Sequence, residues 1–280
     1  MIQCIVTGIL LGGLYSMIGI GMSLVFGIMG LTNLAHGDLM ILGTYISLVM
    51  TRALGCNLIV SVIVSVVVMC VLVNKVMDKG EAPALLVTFG LSIFLSNLML
   101  KIFSADNQSI NNSLSSKNVV TTDVLSISAS YLTSFIIACV IIIGLSLVMQ
   151  KTNFGRAIRA TSDDTMAAEL MGVNTKLAYA AAMVICMGIT AIAGTLVGST
   201  FVFYPSSGTQ YLIIAFGVVV IGGMGSLFGT LIGGIVLGVA QIVGGYVFGS
   251  GVQMLIAYIV LLVILALRPN GLFAASAVRK

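Results

Sequence analysis

Long apolar runs, separated by short polar or glycine-rich breaks, make up most of the chain. They fall at about residues 2–29, 39–54, 58–77, 84–103, 131–149 and 177–200, then through a Gly-laden stretch to 249, and last at about 252–267. A helix needs roughly 20 mostly apolar residues to cross a bilayer. The stretch from 210 to 249 is long enough for two passes. The pattern therefore predicts an all-α polytopic membrane protein with about eight or nine transmembrane helices in one transmembrane domain, residues 1–280. Most breaks are ordinary: a turn at Arg52–Asn57, a charged loop with Lys75, Asp78, Lys79 and Glu81 closed by Pro83, a Ser- and Asn-rich loop at 104–130, and a turn at Pro205–Gly208. Near 27–38 and 217–229 the sequence departs from that style, and broken or re-entrant segments are expected there.

The longest charged interruption is Lys151–Lys176, which holds Lys151, Arg156, Arg159 and Lys176 and three of the eight acids. Ser162 is suited to cap a helix, with Asp163 and Asp164 at the positive end of its dipole. Gly172 is a natural stop. Between them Met166, Ala167, Leu170 and Met171 fall on one helical face, and Thr165, Ala168 and Glu169 on the other. A helix of about ten residues is marginal in water by itself, so its own bundle or a partner protein is expected to hold it.

Composition agrees with the pattern. Hydrophobic residues are 59% of the chain and charged ones 7%, against about 25% charged in a soluble domain. Cys4, Cys56, Cys70, Cys139 and Cys186 have no C-x-x-C spacing, and they read as small packing residues rather than a disulfide framework or metal site. The first run lacks a basic leader and is expected to remain as a span. The loops at 75–81 and 151–176 and the C-terminal tail carry nine of the twelve basic residues. The positive-inside rule places them in the cytoplasm, which puts loop 104–130 and the N-terminus outside.

Two places carry unusual chemistry. Gly225, Gly229 and Gly233 recur every four residues, as do Gly234 and Gly238, and Gly245 and Gly249. Small residues on one helix face allow close backbone approach. The denser cluster of Gly222, Gly223 and Gly225 suggests an unwound stretch, which a membrane tolerates only where protein or a cavity shields it. In the first half Thr32, Asn33, His36 and Asp38 interrupt apolar sequence, and His36 is the only histidine. A charge at the bilayer centre costs about 2.5–3.5 kcal/mol, so such residues face a cavity or a partner. The other reading puts them at the cytoplasmic interface, with Asn33 capping the second span and Asp38 near its positive end. No nucleophile–base pair or metal-ligand spacing accompanies the histidine, so no catalytic or metal site is expected.

These residues resemble a family. GLTNLAHGDLMILGTYI is similar to the "N-x-A-H-G-[DE]" signature of branched-chain amino acid permeases of ABC importers, and GRAIRATSDDTMAAELMGV to their cytoplasmic loop. Pro205–Gly208, AFGVVVIGGMGSLFGTLIGG and RPNGLF follow in the same order. The loop is also a degenerate "E-A-A-x-x-x-G" motif, with Met166 where that motif has an acid. The resemblance implies a permease, the shorter of two paired subunits, working with a second permease, two ATP-binding subunits and an extracytoplasmic solute-binding protein in the bacterial inner membrane. It implies a helix docked on an ATPase, making Arg156, Arg159, Asp164, Met166, Ala167, Ala168, Leu170, Met171 and Gly172 the coupling candidates. Thr32, Asn33, His36, Asp38, Gly222, Gly223 and Gly225 are the candidates along the substrate pathway. No G-x-x-x-x-G-K-[ST] loop occurs, so the chain is expected to bind no cofactor itself, to hydrolyse no ATP and to be no enzyme. Membrane lipid and a small solute are the other expected partners, with no nucleic acid. A permease for urea or short amides, and an ion-driven transporter or channel, remain as alternatives.

Overall fold

The computed structural model describes residues 1–30, 32–53, 55–74, 81–110, 118–122 and 125–273. Its helices are α1 (Ile2–Met29), α2 (His36–Ala53), α3 (Leu58–Asn74), α4 (Glu81–Phe103), α5 (Ala129–Lys151), α6 (Asn153–Asp163), α7 (Thr165–Leu170), α8 (Thr175–Thr200), α9 (Gly208–Gly222), α10 (Leu227–Phe248) and α11 (Gln253–Leu267). Among the described residues seven segments are long and apolar enough to cross a membrane, and Leu58–Val71 is a shorter apolar helix. The polar first turn of α2, with His36 and Asp38, and Arg52 near its end set that helix apart from the seven. The molecule is the expected all-α polytopic membrane protein. One local departure lies in the polar loop, where Asn118–Thr122 and Leu125–Ser128 pair as antiparallel strands β1 and β2.

α1 is the most enclosed span, with 89% of its apolar window buried against 6% for the segment containing α11. A helix that is apolar on every side belongs in the interior of a bundle. Glycine makes the enclosure possible. A β-carbon on Gly12 would overlap the Ile235 backbone, and one on Gly238 would meet the Gly12 amide and the Gly8 carbonyl. On the opposite side of α10, Gly229 and Gly233 lie against the backbone of Gly222 and Val218 in α9. The four-residue spacing of Gly229 and Gly233 and of Gly234 and Gly238 is therefore helix packing, and it serves two different neighbours. Where α1 and α10 touch, the Tyr15 hydroxyl donates to Gln241 Oε1 at 2.5 Å in the core.

Both irregular segments are present. α1 stops at Gly30, which is left-handed at φ 63°. The chain then turns back along α1, because His36 Nε2 bonds the Ile18 carbonyl at 2.9 Å. Ile18 lies eleven residues before the end of α1, about 16 Å along its axis. α2 thus starts inside the bundle, level with the middle of α1. The second break, Gly223–Ser226, has positive φ at Gly223 and Gly225, and Ser226 caps α10 through the Gly229 amide. After α11 the RPNGLF segment folds back, with the Leu272 and Phe273 amides bonded to the carbonyls of Ile221 and Gly222.

At the end of the bundle away from α6 and α7, the Tyr45 ring stacks on Phe103 at 4.2 Å and meets Phe203 edge-on at 5.1 Å. Arg52 donates to Gln108 Oε1 and the Ser109 carbonyl close by. At the other end Ser162 Oγ donates to the Gly27 carbonyl at 2.7 Å, which ties α6 to the last turn of α1.

Candidate functional site

The polar residues of the first break form an interior seam. Asn33, His36 and Asp38 are all buried, and Thr32 is half-buried at its entrance. Asn33 Oδ1 accepts from the Ala35 amide at 3.0 Å, and its carbonyl accepts from the His36 amide at 3.2 Å, so Asn33 sets the turn that starts α2. Thr88 Oγ1 of α4 accepts the Leu34 amide at 3.4 Å. His36 Nε2 must carry the proton it gives to Ile18, which leaves the buried Nδ1 without a hydrogen-bond partner among the described residues.

Asp38 is the centre of the seam. One carboxylate oxygen accepts from Ser92 of α4. The other lies against Gly208, the first residue of α9. Gly37 sits equally tightly on the Gly208 carbonyl. The first turns of α2 and α9 therefore abut, and the Asp38 carboxylate lies in the first turn of α2 and against the first residue of α9. The positive ends of both dipoles favour a negative group there. Asn33 at the start of α2 and Asp38 in its first turn stand where the capping reading has them, and both are buried within the chain. The structure brings together Asn33, His36 and Asp38, and adds Ser92, Thr88 and Gly208. No periodic signal marks Ser92 or Thr88, because a lone hydroxyl in an apolar span usually bonds its own preceding carbonyl.

The glycine candidates sit elsewhere. Gly222 and Gly223 close the opposite end of α9 and pack against Gly229 and Gly271, while Gly225 touches Gly27 of α1. They build a tight turn at the end of the bundle near α6.

The charged stretch differs in detail from the single helix expected over Ser162–Met171. Thr152 caps α6 by accepting from the Gly155 amide, and α6 runs on to Asp163. Ser162 is thus inside a helix and anchors it to α1. The cap of α7 is Asp164, which accepts from the Ala167 amide at 3.0 Å. A side-chain oxygen at this position satisfies one of the orphan amides of the first turn. Gly172 ends the element at φ 83°, with its amide on the Glu169 carbonyl and the Val173 amide on the Ala168 carbonyl. Glu169 accepts from Thr175 at 2.6 Å, fastening α7 to the start of α8.

Within α7 only Ala168 is buried, and Thr165 and Glu169 of its own face are exposed like the apolar residues. Ala168 is 4% exposed, whereas Met166, Leu170 and Met171 are 74%, 83% and 85% exposed. Ala167 is exposed beside them. Leucine and methionine on a polar loop outside the spans form an apolar patch that water does not stabilise. Arg156 donates to Asn153 and Arg159 to the Met149 carbonyl, so both arginines lie back along α6.

A membrane bundle with a buried polar break and a rigid external loop presenting an apolar face has the build of a membrane transport protein. The family described as "Branched-chain amino acid transport system / permease component" matches residues 4–265, and the chain belongs to it. It is 29% identical to the high-affinity branched-chain amino acid transport system permease protein BraD of Pseudomonas aeruginosa, covering all of this chain and 97% of BraD. It is 28% identical to LivH of Escherichia coli K12 with the same coverage, and 22% identical to a probable LivH of Methanocaldococcus jannaschii over 94% of this chain and 90% of that protein. In structure it resembles a chain of PsaBC from Streptococcus pneumoniae, solved with a Fab, at a TM-score of 0.53 and 13% identity, covering 96% and 91% of the two chains. At that identity the likeness concerns the fold alone. The chain is a membrane permease of the branched-chain amino acid transport family, and the relatives named above are transport permease proteins.

Proposed function

We propose that this chain is the transmembrane subunit of an ABC importer that moves branched-chain or similar small apolar amino acids into the cell. ATP is hydrolysed by two partner subunits, one of them seated on α7, and solute arrives from an extracytoplasmic binding protein. A second permease subunit completes the membrane unit. The chain lies in the cytoplasmic membrane with α6, α7 and the C-terminus inside and the Tyr45–Phe103–Phe203 end outside, as the distribution of basic residues favours.

The observation that carries this reading is the apolar face of α7. Met166, Leu170 and Met171 are exposed on an element fixed at both ends by Asp164 and Gly172. Covering such side chains contributes about 1.5–3 kcal/mol each, which suits a partner groove. In this reading Asn33, His36 and Asp38 act on the solute route by fixing where α2 and α9 begin, so that motion of one is felt by the other.

Reconstitution of the whole complex in proteoliposomes tests the proposal. Leucine, isoleucine and valine are expected to accumulate only with ATP and binding protein present. Uptake of urea or short amides instead would reassign the solute, and uptake driven by an ion gradient without ATP would overturn the mechanism.

A further inference from the structure

The chain enters α9 from deep within the spanning region. Phe203 and Gln108 exchange amide and carbonyl bonds of 2.9 Å at the end of the bundle away from α6. Five residues later Gly208 meets Asp38, whose other carboxylate oxygen takes Ser92, the middle residue of α4. Pro205–Ser207, a single turn of 3-10 helix beside α4, joins the two levels. The chain therefore descends from one end of the bundle to its middle before α9 begins. Irregular backbone is tolerated at membrane depth only where protein or water covers it.

One face of this descent is uncovered, and it is polar. Ser206, Thr209 and Gln210 are exposed, and none of their side chains has a hydrogen-bond partner among the described residues. The same face continues along α9 with Ile213 and Phe216, 44% and 46% exposed, at helical spacing. It is thus polar from the bundle's end to its middle and apolar beyond. The exposed face of α11 shows what lipid accepts, with Leu255, Ile259, Leu262 and Val263. Unpaired polar side chains at mid-span do not suit hydrocarbon, and such groups face a partner or a water-filled cavity.

We propose that Ser206, Thr209 and Gln210 form one wall of a water-filled recess, open at the Tyr45–Phe103–Phe203 end and closed below by Ile213 and Phe216. Solute travels along this wall, outside the chain's own bundle, while Asn33, His36 and Asp38 stay packed behind it. The opposite wall belongs to a second membrane subunit. The use of the recess by solute rests on the proposed function; the recess itself does not.

The test is thiol labelling in membrane vesicles from cells that produce the whole transport system, in a chain without its five native cysteines. A cationic methanethiosulfonate is applied on the side from which Asn107→Cys reacts. Ser206→Cys, Thr209→Cys and Gln210→Cys are expected to react about tenfold faster, or more, than Ile213→Cys, Phe216→Cys and the α11 control Ile259→Cys, because apolar surroundings exclude a charged reagent. Modification of Gln210→Cys is expected to lower uptake severalfold, and unchanged uptake after full modification would remove solute from the recess. Labelling of Gln210→Cys no faster than Ile259→Cys overturns the proposal, whether lipid or a close-packed partner covers the face. Labelling of Ile213→Cys or Phe216→Cys as fast as Gln210→Cys overturns the apolar floor. ATP-dependent uptake by the unmodified variants separates the two readings. Normal uptake with unlabelled polar positions removes the recess alone, and the expected labelling without any uptake removes the transport reading alone.

Discussion

The carboxylate of Asp38 lies directly against the backbone of Gly208, so closely that a β-carbon on Gly208 would overlap Oδ1. Two helices from distant parts of the chain therefore share one starting point, with the Asp38 side chain of α2 packed on the first residue of α9. Gly208→Val is expected to force α2 and α9 apart. Overpacking of this kind costs about 1–3 kcal/mol. A drop in thermal unfolding temperature together with loss of uptake is the expected outcome, and a variant as stable as wild type would show that the two turns are not tightly joined.

Asp38→Asn keeps the shape and the capacity to accept from Ser92 but removes the charge. Membrane level and assembly should remain normal while uptake falls severalfold, because the two helix ends lose their counter-charge. Asn33→Ala removes the turn at the Ala35 amide and should act in the same direction. Loss of protein from the membrane in both variants would point to a purely structural role, and full uptake in both would remove the seam from the transport mechanism.

Orientation is testable by thiol labelling in a background without the five native cysteines. Asn107 and Met171 are both exposed and lie at opposite ends of the bundle. Asn107→Cys should react with an impermeant reagent from outside, and Met171→Cys only after permeabilisation. The reverse result would place α7 outside and end the ATPase-docking argument.

Coupling should depend on the exposed face of α7 and on its stop signal. Leu170→Asp puts a charge where a partner groove would be dry, and Gly172→Val opposes a backbone held at φ 83°. Both variants should reach the membrane, lose ATPase in co-purification and lose uptake. Ordinary ATPase recovery with Leu170→Asp would show that the partner is held elsewhere.

The α1–α10 contact gives a stability prediction. Tyr15→Phe deletes the hydroxyl that Gln241 accepts and leaves a buried amide oxygen unpaired, at a cost of about 1–3 kcal/mol. Thermal unfolding of the purified chain should shift down accordingly. The double variant with Gln241→Leu should recover part of the loss, since removing both partners avoids the unpaired group.

The order of apolar runs was enough to determine the class of molecule and nearly every helix, because each span must satisfy its backbone internally and be long enough to cross lipid. It also marked both breaks, since Gly30, Gly223 and Gly225 stand where positive φ is needed. The apolar face of α7 was legible for the same reason, as its spacing depends on one short helix. What tertiary structure alone decided is which distant residues meet. Ser92 reaching Asp38, Gly208 seating on Gly37, and Ser162 holding Gly27 rather than capping a helix all join segments that share no local pattern. The start of α7 is capped by Asp164 because α6 extends to Asp163, with Ser162 in its last turn bonded to α1. Local spacing determines which face of a helix is apolar, but only packing selects the partner that covers it.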